Sequence, residues 1–319
     1  MEEPSFGNEA DKERTSQTVP HGFPGYIFFH KSGLRAGWRL CLYIFVVFVL
    51  LTGSTYVIAE FLRRHQQGSS LTSNFWSEIL TLASAFGAAW LMSAIEGRPV
   101  GMYGLPGRNA FGKLFWQGCL FGLLEVSALM GTIASFGAYT FGSLAQHGTD
   151  ILRWALIWGA FFIVVGLCEE FLFRGYALYT LADGIGFWPA ALLLSAGFGA
   201  VHLRNPGEGW VGAAGVFVVG VFWSFTLKRT GSLWFAVGMH ATFDFGETFL
   251  FSVPDSGLVF PGHLSNASLH GPNWLTGGTP GPEGSVVDFL ILLVYFLAFD
   301  RLFPARNDTF SVSSVESAL

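Results

Sequence analysis

The sequence predicts an all-α fold, a polytopic transmembrane helical bundle of about eight spans. Hydrophobic residues make up 51% of the 319-residue chain and charged residues only 12%, whereas a soluble domain usually carries about 25% charged residues. The apolar residues also occur in runs of about 20, the length that crosses a bilayer core about 30 Å thick. These observations argue against a soluble enzyme, a disordered chain and a nucleic-acid-binding protein. We expect the bilayer, and no nucleic acid, among the partners.

The individual spans follow from the positions of the apolar runs. They are predicted at residues 36–62, 75–95, 112–136, 153–180, 187–203, 210–228, 232–252 and 286–303. Between the last two lies a long Gly/Pro-rich loop, 253–285, in which Phe260, Leu264 and Trp274 are candidates for capping the bundle. Loops of this length are commonly functional or disordered.

The distribution of basic residues predicts the orientation in the membrane. With a cytoplasmic N-terminus, the inner segments hold most of the Lys and Arg residues, and the positive-inside rule then places both termini in the cytoplasm. A plasma membrane is the expected location. The inner residues are Lys12, Arg14, Lys31, Arg35, Arg39, Arg98, Arg108, Lys113, Lys228, Arg229, Arg301 and Arg306, and the outer ones are Arg63, Arg64, Arg153 and Arg204.

Charged groups inside a bilayer are costly and therefore mark candidate functional sites. The fourth span contains Glu169, Glu170 and Arg174, in the pattern E-E-x-x-x-R. Glu170 and Arg174 are four residues apart and share a helix face, so we expect them to form a structural ion pair. Glu169 points about 100° away from Glu170, which leaves it as the candidate general base. The alternative is that both carboxylates only pair with Arg174.

Two later spans contribute histidines. His202 ends the fifth span in the pattern F-x-x-x-H, and His240 and Asp244 form H-x-x-x-D in the seventh. A single helical histidine is more often packed than catalytic. Here, however, a rise of about 1.5 Å per residue places Glu169, His202 and His240 within about 10 Å of one another in depth. The sequence therefore predicts one site formed by three spans.

These three motifs, in this order, resemble the CPBP family of intramembrane proteases, which includes the CAAX prenyl endopeptidases and the Abi-like bacteriocin-processing proteins. The resemblance covers the segment 151–252, which we expect to be the catalytic core. Polarity and apolar runs divide the rest of the chain into a polar cytoplasmic tail (1–34), N-terminal transmembrane spans (35–150), the loop (253–285), and a last span with the C-terminal tail (286–319).

The resemblance implies an endopeptidase that acts on membrane-associated peptide or protein substrates. It implies that Glu169 and His202 activate a water, and that His240 and Asp244 stabilise the oxyanion or help to bind a metal. Relatives often have Asn where this chain has Asp244, and an ionised Asp would repel an oxyanion. Asp244 is therefore expected to orient His240 or to bind a cation.

The cofactor stays open at this point. His202, His240, Glu169 and Asp244 would suffice for zinc together with a water, but their spacing does not require a metal. There is no H-E-x-x-H motif of the kind that places two zinc ligands on one helix face.

Two other functions remain as alternatives. One is an ion- or proton-coupled transporter that uses Glu125, Glu169, Glu170 and Asp244 as proton sites. No two-half symmetry of the kind many carriers show is visible in the sequence. The other is a catalytically idle scaffold that keeps the fold and binds a partner.

Overall fold

The computed structural model describes residues 28–30, 33–65 and 70–305. Most of the predicted 1–34 tail, the basic residues Lys12, Arg14, Lys31 and Arg306, and the C-terminal end from 306 onward lie outside these residues. The described chain is a bundle of helices with two short two-stranded sheets, which confirms the predicted all-α fold class.

The helices follow the predicted apolar runs closely. In chain order they are α1 (Ala36–His65), α2 (Ser70–Glu96), α3 (Lys113–Ser135), α4 (Thr149–Arg174), α5 (Tyr176–Ile185), α6 (Phe187–His202), α7 (Trp210–Thr230), α8 (Trp234–Phe245), α9 (Asn273–Thr276) and α10 (Val286–Leu302). Short 3₁₀ turns lie at Val100–Met102, Gly107–Asn109 and Pro282–Gly284, and a π-helical turn, Gly246–Leu250, extends α8.

The strands are only two residues long. Strand β1 (Phe29–His30) pairs antiparallel with β2 (Gly33–Leu34), and β3 (Tyr139–Thr140) pairs antiparallel with β4 (Ser268–Leu269). The second sheet joins the segment after α3 to the loop that precedes α10. This pairing fixes the middle of the loop to the body of the bundle.

Five helical segments in the described part of the chain are long and apolar enough to cross a membrane. They are Ala36–Phe61, Ser73–Glu96, Lys113–Ser135, Thr149–Ile185 and Trp210–Thr230. Phe187–His202 is a shorter apolar helix. Many large apolar side chains face outward, among them Phe48, Trp90 and Trp116, as expected for contact with lipid. The chain is therefore an integral membrane protein, and the count of eight spans stays a prediction.

Two predicted spans differ in detail from the structure. The run 153–180 is divided at Gly175 into α4 and α5, because the chain turns there instead of continuing one helix. The run 232–252 ends α8 at Phe245 and continues as the π-helical turn. Apolar periodicity alone reveals neither the break at Gly175 nor the change to a π-helical turn.

Helix α8 is the central element, and most of its side chains are buried. Glycines allow the neighbouring helices to approach it closely. A Cβ at Gly118 of α3 would contact the carbonyl oxygen of Phe235, and a Cβ at Gly238 would contact that of Phe115. On the other side, a Cβ at Gly166 of α4 would lie 3.1 Å from the Val237 carbonyl oxygen and 3.6 Å from His240 Cβ. Small residues of this kind are typical of close helix packing in membranes.

Candidate active site

The E-E-x-x-x-R motif lies at the end of α4, one turn after Gly166. Glu170 and Arg174 are almost completely buried, and Arg174 Nη1 lies 3.3 Å from Glu170 Oε1. The side chain of Glu169 is 27% exposed. Successive helical residues face different directions, which is why neighbouring carboxylates have such different surroundings.

The Arg174 guanidinium is surrounded by aromatic rings. Its Cζ lies 4.3 Å from the centre of the Phe198 ring and 5.5 Å from that of Trp223. A Cβ at Gly220 of α7 would contact Arg174 Nη2, so glycine leaves the space that the guanidinium fills. Cation–π contacts partly replace the hydration that a buried arginine loses. Arg174 therefore joins α4 to α6 and α7.

Three carboxylates surround the ring of His240. Its Nδ1 lies 3.2 Å from Glu170 Oε1, and its Nε2 lies 3.4 Å from Asp244 Oδ2 and 3.7 Å from Glu169 Oε2. Trp223 stacks on the ring, with 4.3 Å between the ring centres. Because both ring nitrogens face carboxylate oxygens, a doubly protonated ring can donate in both directions.

His202 lies on the same cavity but takes no part in the ion pairs that surround His240 among the described residues. Its Nδ1 is 2.9 Å from the carbonyl oxygen of Phe198, one turn earlier in α6. A carbonyl only accepts, so Nδ1 carries the proton and donates it. In the neutral ring, Nε2 is then the nitrogen that can accept a proton.

The four predicted site residues, Glu169, His202, His240 and Asp244, all line a single cavity of about 260 Å³. Aromatic and aliphatic side chains form much of its wall, among them Phe161, Val216 and Phe243. The three helices that carry these residues therefore meet at one cavity, as the sequence predicts.

Several acidic residues of the cavity were not predicted to be near the site. The cavity is also lined by Glu78 of α2, Asp255 and Glu283 of the loop, and Asp288 of α10, in addition to Glu125 of α3. Glu78 also contacts the Cys168 thiol. Its position inside an apolar span is the signal that could have identified it, since ionisable groups there are costly.

The loop forms one wall of this cavity and does not lie apart from the bundle. Phe260 packs on Trp158, with 4.9 Å between the ring centres, while Trp274 is largely exposed. Burial raises the pKa of Asp255 to about 7 and the pKa of Glu283 well above its usual range. Both carboxyl groups therefore lie in a region that disfavours unpaired negative charge.

The distances do not favour zinc at the predicted residues. In the described part of the chain, three candidate ligand atoms within 4.8 Å of one another occur at Glu247, Asp255 and Glu283. Glu169, His202, His240 and Asp244 do not form such a group. No step of the proposed mechanism is therefore assigned to a metal, and metal assistance there stays a prediction.

A buried carboxylate–histidine site on a cavity within a polytopic helical bundle defines a candidate intramembrane enzyme. Residues 151–246, less than a third of the chain, match the family described as type II CAAX prenyl endopeptidase Rce1-like. This segment is a domain of that family, which confirms the resemblance seen in the sequence motifs and implies protease activity. Comparisons with curated proteins and with solved structures give no match to the chain.

Proposed function

We propose that the protein is an intramembrane endopeptidase in which Glu169 and His202 activate a water for attack on a peptide carbonyl. One observation carries the proposal: Glu169 contacts His240, which is held by Glu170 and Asp244, on a cavity that also contains His202. Such a set provides a base and, when His240 is protonated, a cationic group on one cavity, as general-base hydrolysis of a peptide can use.

Glu169 is the carboxylate best suited to act as the base. It is the more exposed of the two adjacent glutamates, so a water in the cavity can reach it. The carboxylate takes a proton from the water as the oxygen attacks the carbonyl carbon, and the proton later passes to the departing amine. His202 accepts a second hydrogen bond from the same water through Nε2.

His240 is the candidate group for stabilising the tetrahedral intermediate. When protonated, its ring offsets the negative charge that develops on the carbonyl oxygen. Asp244 orients the ring through Nε2, which gives this carboxylate a role that does not require contact with the oxyanion. Glu170 fixes the opposite nitrogen and is itself paired with Arg174.

The substrates that we propose are membrane-associated, with prenylated CAAX-type proteins as the first class and peptide precursors as the second. The family description supports the first class. The apolar wall of the cavity, with Phe161, Phe162 and Phe260 among its residues, suits a lipid-modified or apolar segment. We further propose a plasma-membrane location. From the distribution of Lys and Arg, we also propose that both termini lie in the cytoplasm.

The substrate proposal is tested with purified protein in liposomes and a panel of farnesylated, geranylgeranylated and unmodified peptides that end in CAAX-like sequences. We expect cleavage of prenylated members at rates at least tenfold above those of matched unmodified peptides. Asp150→Asn, an exposed carboxylate at the start of α4, serves as a control and should retain wild-type rates. Absence of cleavage across the whole panel would overturn the proposal.

The acidic cavity gives a specific reason to test proton-coupled transport as a second candidate. Glu125, Glu169 and Asp244 line one space, as the carboxylates of a carrier would. Glu170 fits this function poorly, because its pairing with Arg174 holds its charge in place. Proteoliposomes loaded with a pH-sensitive dye test it directly. Peptide-dependent acidification without cleavage would favour the carrier.

A further inference from the structure

A cluster of three carboxylates lies beside the candidate active site. Glu247, on the π-helical turn after α8, meets Asp255 and Glu283, from the two ends of the loop. One oxygen of each residue lies within 4.8 Å of an oxygen of each of the others. Glu247 is completely buried and Asp255 is 7% exposed. We call these three residues the acidic clip.

Two oxygens of the acidic clip have no hydrogen-bond partner among the described residues. They are Oε2 of Glu247 and Oε1 of Glu283. The other Glu247 oxygen, Oε1, accepts a hydrogen bond from the Glu283 amide at 3.1 Å. Buried polar atoms are nearly always paired in folded proteins. An unpaired carboxylate oxygen that is buried among other carboxylates is therefore an observation that points to a missing positive ligand.

No Lys or Arg of the described residues forms an ion pair with Glu247, Asp255 or Glu283. Among the described residues that line the adjoining cavity, none is Lys or Arg. Around Glu247 the further charges are acidic, with Asp244 and Asp288 close enough to raise the energy of a negative charge there. A protonated His240 ring acts on Asp255 alone of the three, so it does not balance the whole cluster. Thr248 donates a hydrogen bond to Asp255 Oδ2, at 3.1 Å, but carries no charge.

The chemistry of the clip selects the class of ligand. All of its donors are carboxylate oxygens, which hard cations prefer, whereas zinc prefers sites with His or Cys. Two oxygens that share one ion can be no further apart than twice the metal–oxygen distance. For Ca²⁺ this limit is about 4.6–5.2 Å and for Mg²⁺ about 4.0–4.2 Å. Separations of at most 4.8 Å are compatible with Ca²⁺. Mg²⁺ usually keeps several waters and binds one or two carboxylates, so a set of three carboxylates favours Ca²⁺.

We propose that Glu247, Asp255 and Glu283 form a binding site for a Ca²⁺-class cation, which ties both ends of the loop to the end of α8. The backbone already brings these ends together. Gly257 donates a hydrogen bond to the Pro280 carbonyl oxygen at 2.7 Å, and a Cβ at Gly281 would contact the carbonyl oxygen of Pro254. The ion would fix the loop as a wall of the cavity, close to Asp244.

The proposal is tested on the full-length protein in detergent after removal of divalent ions with EGTA. Equilibrium dialysis with ⁴⁵Ca²⁺ should show saturable binding of one ion per chain at or below about 1 mM, the weak end of protein Ca²⁺ sites. The same ion should raise the temperature of thermal unfolding, and Mg²⁺ at equal concentration should raise it less. Neither measurement depends on peptide cleavage.

Isosteric variants locate the site. Glu247→Gln, Asp255→Asn and Glu283→Gln should each weaken Ca²⁺ binding at least tenfold. Glu78→Gln, a carboxylate of the same cavity outside the clip, should bind as wild type does. Absence of saturable binding by the wild-type protein would overturn the proposal even if a variant failed to fold. Equal binding by wild type and all three clip variants would also overturn it.

Discussion

Removing the buried cation Arg174 is the perturbation whose size follows most directly from the structure. Arg174→Met keeps most of the side-chain volume but removes the guanidinium 3.3 Å from Glu170, which then keeps only its contact with His240. At an effective dielectric constant of about 20, two charges at this distance attract each other by about 5 kcal/mol. Measured losses on breaking a buried pair are about 3–5 kcal/mol.

We expect the loss of stability to lie near the lower end of this range of about 3–5 kcal/mol. The Nε and Nη2 atoms of Arg174 have no hydrogen-bond partner among the described residues, so the desolvation of the guanidinium is only partly repaid. Arg174→Met should therefore lower the free energy of unfolding by about 3 kcal/mol. In the double variant Glu170→Gln/Arg174→Met no buried charge of the pair remains, and stability should recover by at least about half of that loss.

The assay is unfolding by SDS in mixed micelles, followed by tryptophan fluorescence. Glu169→Gln is the matched control, since it changes the neighbouring, more exposed carboxylate and should alter stability by less than about 1 kcal/mol. If Arg174→Met were as stable as wild type, or if the double variant were less stable than either single variant, the proposed structural role of the pair would be refuted.

The remaining predictions concern catalysis and packing. Glu169→Gln should reduce peptide cleavage by at least a hundredfold with unchanged folding, because the variant keeps the shape of the base but not its basicity; an active variant would exclude it as the base. His202→Ala and His240→Ala should each reduce cleavage at least tenfold, measured as initial rates, whereas wild-type rates would remove the residue from the mechanism. Gly238→Ala should destabilise the bundle by about 1–3 kcal/mol, since its Cβ would contact the Phe115 carbonyl oxygen. Gly131→Ala, which meets no atom within 4 Å, is the control and should not destabilise the protein; equal losses in both would contradict the close-approach argument.

Contacts within a single helix could be predicted from the sequence, because helical geometry fixes them. Glu170–Arg174 and His240–Asp244 are each four residues apart, and both pairs are in contact, at 3.3 and 3.4 Å. The helix bounds were predictable for a similar reason. Runs of apolar residues have a length that the bilayer determines, and the chain interrupts them with polar or glycine-rich segments.

The sequence predicted which helices meet at the site, but it could not predict which side chains of different helices contact each other. The approach of Glu170 to His240 depends on the relative rotation of α4 and α8, which is determined where Gly166 packs against Val237. The predicted Glu170–Arg174 ion pair therefore does not include the second contact of Glu170, which is to His240. The side chains of Asp255 and Glu283 meet Glu247 only because the loop folds back on α8, and no local pattern indicates that.

The central claim is that Glu169 activates the water, in a mechanism that assigns no step to zinc. It is tested most directly by cleavage of a prenylated peptide by wild type and Glu169→Gln, each before and after treatment with 1,10-phenanthroline, with zinc content measured on the same samples. This chelator prefers zinc over Ca²⁺, so it does not remove a Ca²⁺ ion from the acidic clip. The account predicts that wild type cleaves equally well with and without chelation and that Glu169→Gln does not cleave. Cleavage by Glu169→Gln at the wild-type rate, or loss of wild-type cleavage together with stoichiometric zinc, would contradict it.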